Sequence, residues 1–230
     1  MRFFNSISGG ICSTAMALLF PKIPCVIVNT GGNYPSAWET IRQLKNKGIK
    51  IIVLSSPNKE FPTYYEYIKA ENLKPFYKSC SDKAKQRHLN NFFKIVGPAY
   101  INIGITKEEK KRIENFKNKN WAIYCFPMLK YTREQCEKIL RTNGVTAHKT
   151  GCWFCGKQPR TSWLELKENY PELFNEAIRR EWLPEKMIYI TTSQKPPHSD
   201  MNRKNGKLQI RNFTKTRGKK RIRDGVSGCL

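Results

Sequence analysis

Apolar positions along the chain fall into short runs separated by turn residues, and the runs alternate between strand-like and helix-like spacing. The opening "MRFFNSI" reads as a short strand, and "CSTAMALLF", after a Gly pair, has the small and apolar residues of a buried helix. "IPCVIVNT" is almost continuously apolar, the pattern of a strand covered on both faces. "PSAWETIRQLKNKG" is amphipathic and stops at Gly48, and "IKIIVLSS" is another buried strand. The order strand–helix–strand–helix–strand predicts an α/β domain built on a parallel sheet.

Further along, "FPTYYEYIKAENL" reads as a helix, "SDKAKQRHLNNFFKIV" as a basic helix and "AYINIGI" as a strand. "KEEKKRIENFKNK" is a charged surface helix or loop, followed by a last apolar strand, "WAIYCFPML". "TREQCEKILRTNG" is a helix with its own punctuation: Thr132 as N-cap, Gln135 at the capping-box position and Gly144 as the stop. "PRTSWLELKENYPELFNEAIRREW" supplies two helical pieces, with Trp163, Leu166, Leu173 and Phe174 as core positions. Beyond about Thr191 the composition changes, and from Met201 to Arg223 there are ten Lys or Arg and no acid. The expected organisation is an α/β domain over residues 1–150, a Cys-containing helical segment over 151–190 packed on it, and a basic tail over 191–230.

Charge is the outlier of the composition. Against 18 Asp+Glu stand 42 Lys+Arg, a formal net charge of +24 over 230 residues. Such a surplus favours polyanions, nucleotides or anionic surfaces, although lysine also serves as a plain solvating residue. Eight cysteines in a long, Lys-rich chain with a Cys-x-x-Cys fit free, metal-bound or redox-active thiols better than a disulfide scaffold. The opening segment lacks the marks of an export signal, and no run approaches the roughly 20 apolar residues of a membrane span. The expectation is a soluble, cytoplasmic protein with no membrane partner.

Two stretches carry candidate chemistry. In "SISGGICS", Ser6, Ser8, Gly9, Gly10 and Ser13 lie where the first strand turns into the first helix. Glycines let backbone approach phosphate oxygens, a helix N-terminus offers unpaired N–H groups, and serine hydroxyls add donors. The loop lacks the residues of a Walker A or a dinucleotide fingerprint, so physics alone leaves an anion site and a plain turn side by side. In "HKTGCWFCGKQPRTSW", Cys152 and Cys155 form a tight thiol pair flanked by Lys149, Lys157 and Arg160, and nearby cations favour thiolates. Three chemistries compete there: an iron–sulfur cluster, a zinc ion and a redox dithiol.

The glycine loop resembles the PP-loop, Ser-Gly-Gly-x-Asp-Ser, of the adenine-nucleotide α-hydrolase superfamily, with Cys12 in place of the acid. "VIVNTGGNYPSAWETI" is similar to that superfamily's second-strand segment, with Asn29 in place of an acid. "KSCSDKAKQRHL" resembles a segment carrying one Cys before basic residues, and "YINIGITKEEKKR" a strand with Gly104 and a distal Arg112. Their order resembles that of the PAPS (phosphoadenosine phosphosulfate) reductase-like group, in particular compact members found in phages, over most of residues 3–182. The resemblance implies a Rossmann-like, HUP-type parallel sheet flanked by helices. It implies an adenine nucleotide, ATP or PAPS, bound by Ser6, Ser8, Gly9, Gly10, Ser13, Thr30, Gly104 and Arg112.

The resemblance also favours metal at the thiols. Cys80, Cys152, Cys155 and Cys229 would hold a [4Fe-4S] cluster or zinc, with His148 as the alternative fourth ligand. Cys229, near the end of the chain, is also the candidate nucleophile, because sulfonucleotide reductases carry such a Cys on a C-terminal tail. This chain lacks their full ending, Glu-Cys-Gly-x-His. Cys12, Cys25, Cys125 and Cys136 are read as structural.

Three functions follow. The first is sulfonucleotide reduction, with a thioredoxin-like reductant. The second is ATP-dependent sulfur insertion into tRNA or DNA by a PP-loop iron–sulfur enzyme, with a cysteine desulfurase as partner. The third is a non-catalytic nucleic-acid-binding module that uses Arg217, Lys219, Lys220, Arg221 and Arg223 on the tail.

Overall fold

In the computed structural model the described residues are 2–55, 60, 62–73, 80–148, 150–180 and 182. Five strands and seven α-helices follow in the order the sequence predicts. These are β1 (Arg2–Ser6), α1 (Ile11–Leu19), β2 (Cys25–Val28), α2 (Pro35–Asn46), β3 (Ile51–Leu54) and α3 (Tyr64–Ala70), then α4 (Arg87–Val96), β4 (Ala99–Ile103), β5 (Ala122–Cys125), α5 (Arg133–Thr142), α6 (Arg160–Asn169) and α7 (Pro171–Arg179). A π-helical turn, Asp82–Gln86, leads into α4. The charged stretch after β4 becomes a 3-10 helix, Lys107–Asn115, with no buried residue.

The strands pair in the order β3-β2-β1-β4-β5, all parallel. Period-2 alternation divides the core between the two faces. In β2, Cys25 and Ile27 pack with Ala15, Met16, Leu44 and Leu140 from α1, α2 and α5. Val26 points the other way, to Phe4, Ile101 and Phe93 of α4. Burying both faces explains why "CVIV" reads as unbroken hydrophobicity, each such side chain contributing roughly 1.5–3 kcal/mol.

A third apolar cluster lies apart from the sheet. Trp153, Phe154, Trp163, Leu166 and Phe174 pack with Tyr64 and Ile68 of α3 and with Ala84 of the π-turn. The segment following residue 150 is thus held by the two chain regions that flank β3 and α4. Local punctuation is as the sequence implies: Thr132 and Gln135 cap α5 reciprocally, and Gly48 and Gly144 take φ of +79° and +60° past their helices. Among the described residues no helix is long and apolar enough to cross a membrane. The basic tail, with Arg217, Lys219, Lys220, Arg221, Arg223 and Cys229, lies outside the described residues, as does Lys149.

Candidate nucleotide cleft and thiol pocket

Strand β1 sits between β2 and β4, so the sheet's connections diverge at its carboxyl end: α1 packs on one face and α4 on the other. Ligands of open α/β sheets bind in the crevice opened at such a switch point. Residues 7–10 follow β1 into that crevice. Ser6 is in register with Val26 and Ile103, so β1 and β4 end together beneath the loop.

The loop's shape rests on its glycines. Gly9 has φ of +77°, and a Cβ there would stand 2.9 Å from the Ala37 carbonyl oxygen on α2. Gly10 caps α1 in an extended conformation and gives it no side-chain cap. The Ser8 amide is taken by Ser13 Oγ at 3.2 Å, and Ser13 Oγ donates to the Gly10 carbonyl at 3.0 Å. Thr150 Oγ1 donates to Ser8 Oγ at 3.1 Å, which ties the loop to the stretch before Cys152. The amides of Gly9, Gly10, Ile11, Cys12 and Ser13 meet no acceptor among the described residues. Unsatisfied N–H groups at a helix start, beside a cleft, form a cradle for an anion.

Gly104, at the end of β4, has a steric role. A Cβ there would meet Ser13 N and Cα at 2.9 Å, so only glycine lets the first turn of α1 lie against the strand end. The cleft above has a volume of about 410 Å³, within the usual range for small-molecule sites. Lys85, Arg112, Arg133 and His148 line it, with Glu109 as the one acid among the described lining residues. Arg112 is ion-paired with Glu109, both partly exposed. Ser6, Ser8, Gly10, Ser13, Gly104 and Arg112 all line this cleft.

Thr30 is placed differently. It is fully buried, its hydroxyl donates to Asn33 Oδ1 at 2.8 Å and lies 3.5 Å from Cys152 Sγ, and it accepts from the Gly32 amide. Its position is that of a strut between the β2–α2 turn and the thiol segment, and Asn33 is the residue of that turn that reaches the cleft. Asn29, where the resemblance expects an acid, accepts from the Gly31 amide at 2.9 Å.

The Cys-x-x-Cys is seated by the same turn. Trp153 N donates to the Gly32 carbonyl at 2.8 Å, Asn33 bridges Cys152, and Cys155 N closes a tight turn onto the Cys152 carbonyl. Cys80, Cys152 and Cys155 then line one pocket of about 960 Å³, together with Lys85 and Lys157. Burial, and then the neighbouring Cys152 and Cys155, raise the Cys80 thiol, while the nearby Tyr64 opposes them. Soft thiol donors from two chain regions in one pocket suit iron or zinc. No three His, Cys, Asp or Glu among the described residues converge to coordination distance. His148 lines both cavities, and Cys229 is outside the described residues.

Two features escaped the sequence reading. Ile11, Lys85, Arg133, His148 and Thr150 line both cavities, so the loop cleft and the thiol pocket adjoin along shared walls. Cys12, expected to be structural, also faces the cleft, with the buried Cys136 of α5 near it. The neighbouring Cys136 lowers the Cys12 thiol below its ordinary range, with burial and Glu109 opposing and Arg133 helping. No linear spacing signals either feature, because α5 lies more than a hundred residues from the loop.

The PAPS reductase of Candida auris, solved as a phosphate complex, superposes on 67% of this chain and 83% of that enzyme, with a TM-score of 0.55 and 13% identity. The chain has the PAPS reductase fold. The U34-tRNA thiolase NcsA of Methanococcus maripaludis, solved with its [4Fe-4S] cluster, covers 79% of this chain and 70% of its own at a TM-score of 0.41 and 16% identity. An uncharacterized protein of Methanocaldococcus jannaschii is 23% identical over 199 residues, 76% of this chain and 46% of that protein. The chain therefore spans about half the length of that relative. No protein-family model matches the chain.

Proposed function

We propose that the protein is an adenine-nucleotide-binding enzyme of sulfur chemistry that reduces a sulfonucleotide. One observation carries the reading: the loop cleft and the thiol pocket share walls, so a ligand whose phosphates sit on the amides of Gly10 to Ser13 can extend toward thiols. PAPS suits that arrangement, with its phosphates against Lys85, Arg112 and Arg133 and its sulfuryl group farther along. Fold likeness to a PAPS reductase solved with phosphate supports the same assignment.

In this reading the chain's own groups bind and orient. Main-chain N–H groups hold the charged end of the nucleotide, and cations on the cleft walls neutralise it. Cys80, Cys152 and Cys155 would hold a cluster or zinc ion; an iron–sulfur cluster, when bound, supplies electron- and sulfur-handling capacity. Cys229 on the tail is the proposed nucleophile toward the sulfuryl sulfur.

The breadth of the thiol pocket and the +24 charge favour a second reading, ATP-dependent sulfur insertion into tRNA or DNA. The deciding experiment is anaerobic purification with iron and sulfide analysis, followed by assay of sulfite release from PAPS and of pyrophosphate release from ATP with tRNA. Sulfite from PAPS supports reduction, and tRNA-dependent pyrophosphate release supports the second reading. No thermal stabilisation by either nucleotide overturns both.

A further inference from the structure

The residue that stands in the loop where the resembled motif has an acid is a thiol with a second thiol in contact. Cys12 lies in the first turn of α1, lines the cleft and is partly exposed. Cys136 lies on α5, is fully buried, and belongs to the apolar cluster against which Cys12 packs. Both are free thiols on the packed faces of α1 and α5, near enough for each to shift the other's ionisation. Among the described cysteines, this pair sets a partly exposed thiol beside a fully buried one, an asymmetry suited to stepwise oxidation. Cys12 is partly exposed and lines the cleft with Arg133, and Cys136 is fully buried.

We propose that Cys12 and Cys136 form a redox-active dithiol in the floor of the loop cleft, with Cys12 the attacking thiol toward hydroperoxides and Cys136 the resolving thiol. The site stands on the pairing of α1 with α5 and is independent of which nucleotide the cleft takes.

Three features of the surroundings favour Cys12 as the attacking group. The amides of Gly10, Ile11 and Cys12 leave the helix end positive, Arg133 is the neighbouring cation, and Cys136 can donate its S–H to the Cys12 thiolate. Glu108 and Glu109 oppose ionisation of Cys136 and Cys12 respectively, and burial raises Cys136 further. Cys136 is therefore the harder of the two thiols to ionise.

The chemistry balances in two steps. The Cys12 thiolate attacks the terminal oxygen of the hydroperoxide. The O–O bond breaks, an alkoxide leaves and takes a proton to become the alcohol, and Cys12 becomes a sulfenic acid. Cys136 then loses its proton and attacks the Cys12 sulfur, displacing hydroxide, which takes that proton and leaves as water. The two cysteines lose two electrons and two hydrogens, and the hydroperoxide is reduced to alcohol and water. An added dithiol reverses the change by exchange. Bond formation requires the two sulfurs to close to about 2.05 Å.

The test uses the full-length reduced protein, hydrogen peroxide as oxidant, rapid blocking of free thiols with iodoacetamide, and peptide mapping by mass spectrometry. The expected result is a linked peptide joining Cys12 to Cys136 that disappears on treatment with dithiothreitol. Cys136→Ser should lose the link and leave Cys12 as a dimedone-reactive sulfenic acid, and Cys12→Ser should lose the link without labelling Cys136. Because either substitution can disturb packing, the wild-type map decides. If oxidised wild-type protein keeps both Cys12 and Cys136 alkylatable, or links only Cys80, Cys152 or Cys155, the proposal is overturned. Oxidation of Cys12 to sulfinic acid with Cys136 untouched overturns it equally.

Discussion

Replacing Gly104 by alanine tests the geometry of the cleft most directly. The added methyl would stand 2.9 Å from Ser13 N and Cα and 3.2 Å from the Cys12 carbonyl carbon, all backbone atoms that no side-chain rotation can move. Ordinary contact begins near 3.4 Å, so α1 and β4 must part by about half an ångström. Overpacking of this kind costs roughly 1–3 kcal/mol. In a chain of this size that lowers Tm by roughly 2–12 °C. The same displacement moves the donors at the start of α1 off a bound phosphate. Losing one charge-assisted hydrogen bond, worth roughly 1.5–3 kcal/mol, weakens binding about tenfold to hundredfold. Gly48→Ala supplies the control: φ there is +79° with open space around it, so the substitution costs roughly 1–2 kcal/mol far from the cleft. Differential scanning fluorimetry gives the stability and isothermal titration with PAPS and ATP the affinity. Equal affinities for Gly104→Ala and Gly48→Ala, at matched loss of stability, would refute the reasoning that places the phosphate on α1.

Three further outcomes are expected. Gly32→Ala puts a methyl 2.1 Å from the Phe154 ring, which should unseat the Cys-x-x-Cys turn, lower Tm and shift Trp153 fluorescence; wild-type emission would contradict that seating. Thr132→Ala removes the hydroxyl that accepts from the Gln135 amide at 3.2 Å and should cost roughly 0.5–2 kcal/mol by chemical denaturation, with nucleotide affinity unchanged. Burial pushes the Cys25 thiol up to about 11, so the folded state keeps a proton that the unfolded chain releases near its ordinary thiol value. The stability this contributes is complete below the unfolded value and is lost as pH rises toward 11. Denaturation midpoints at pH 8 and pH 10.5 should therefore differ less in Cys25→Ala than in the wild type, and equal differences would discount Cys25 as a source of alkaline instability.

Much of this architecture is local, and local features are legible in a linear chain. "CVIV" is unbroken in apolar residues because neighbouring positions face two different helical layers. Thr132, Gln135 and Gly144 punctuate α5 through bonds made within a few residues of one another. The loop from Ser8 to Ser13 announced itself in the same way, since its glycines and hydroxyls act on amides of the next turn.

Other properties arose only once distant segments met. Thr30 looked like a ligand contact and became a buried strut, because Cys152 lies 122 residues away in sequence yet 3.5 Å from its hydroxyl. Cys12 and Cys136 looked like two unrelated core thiols until α1 packed on α5. Gly104 matters for the space it leaves to Ser13. Short-range hydrogen bonds and side-chain periodicity are written into consecutive residues, so sequence alone settled the strands and the caps and singled out the glycine loop as a candidate. The joining of that loop to a thiol pocket depends on long-range packing of the Trp153–Phe154 cluster against α3, and only tertiary structure decided it.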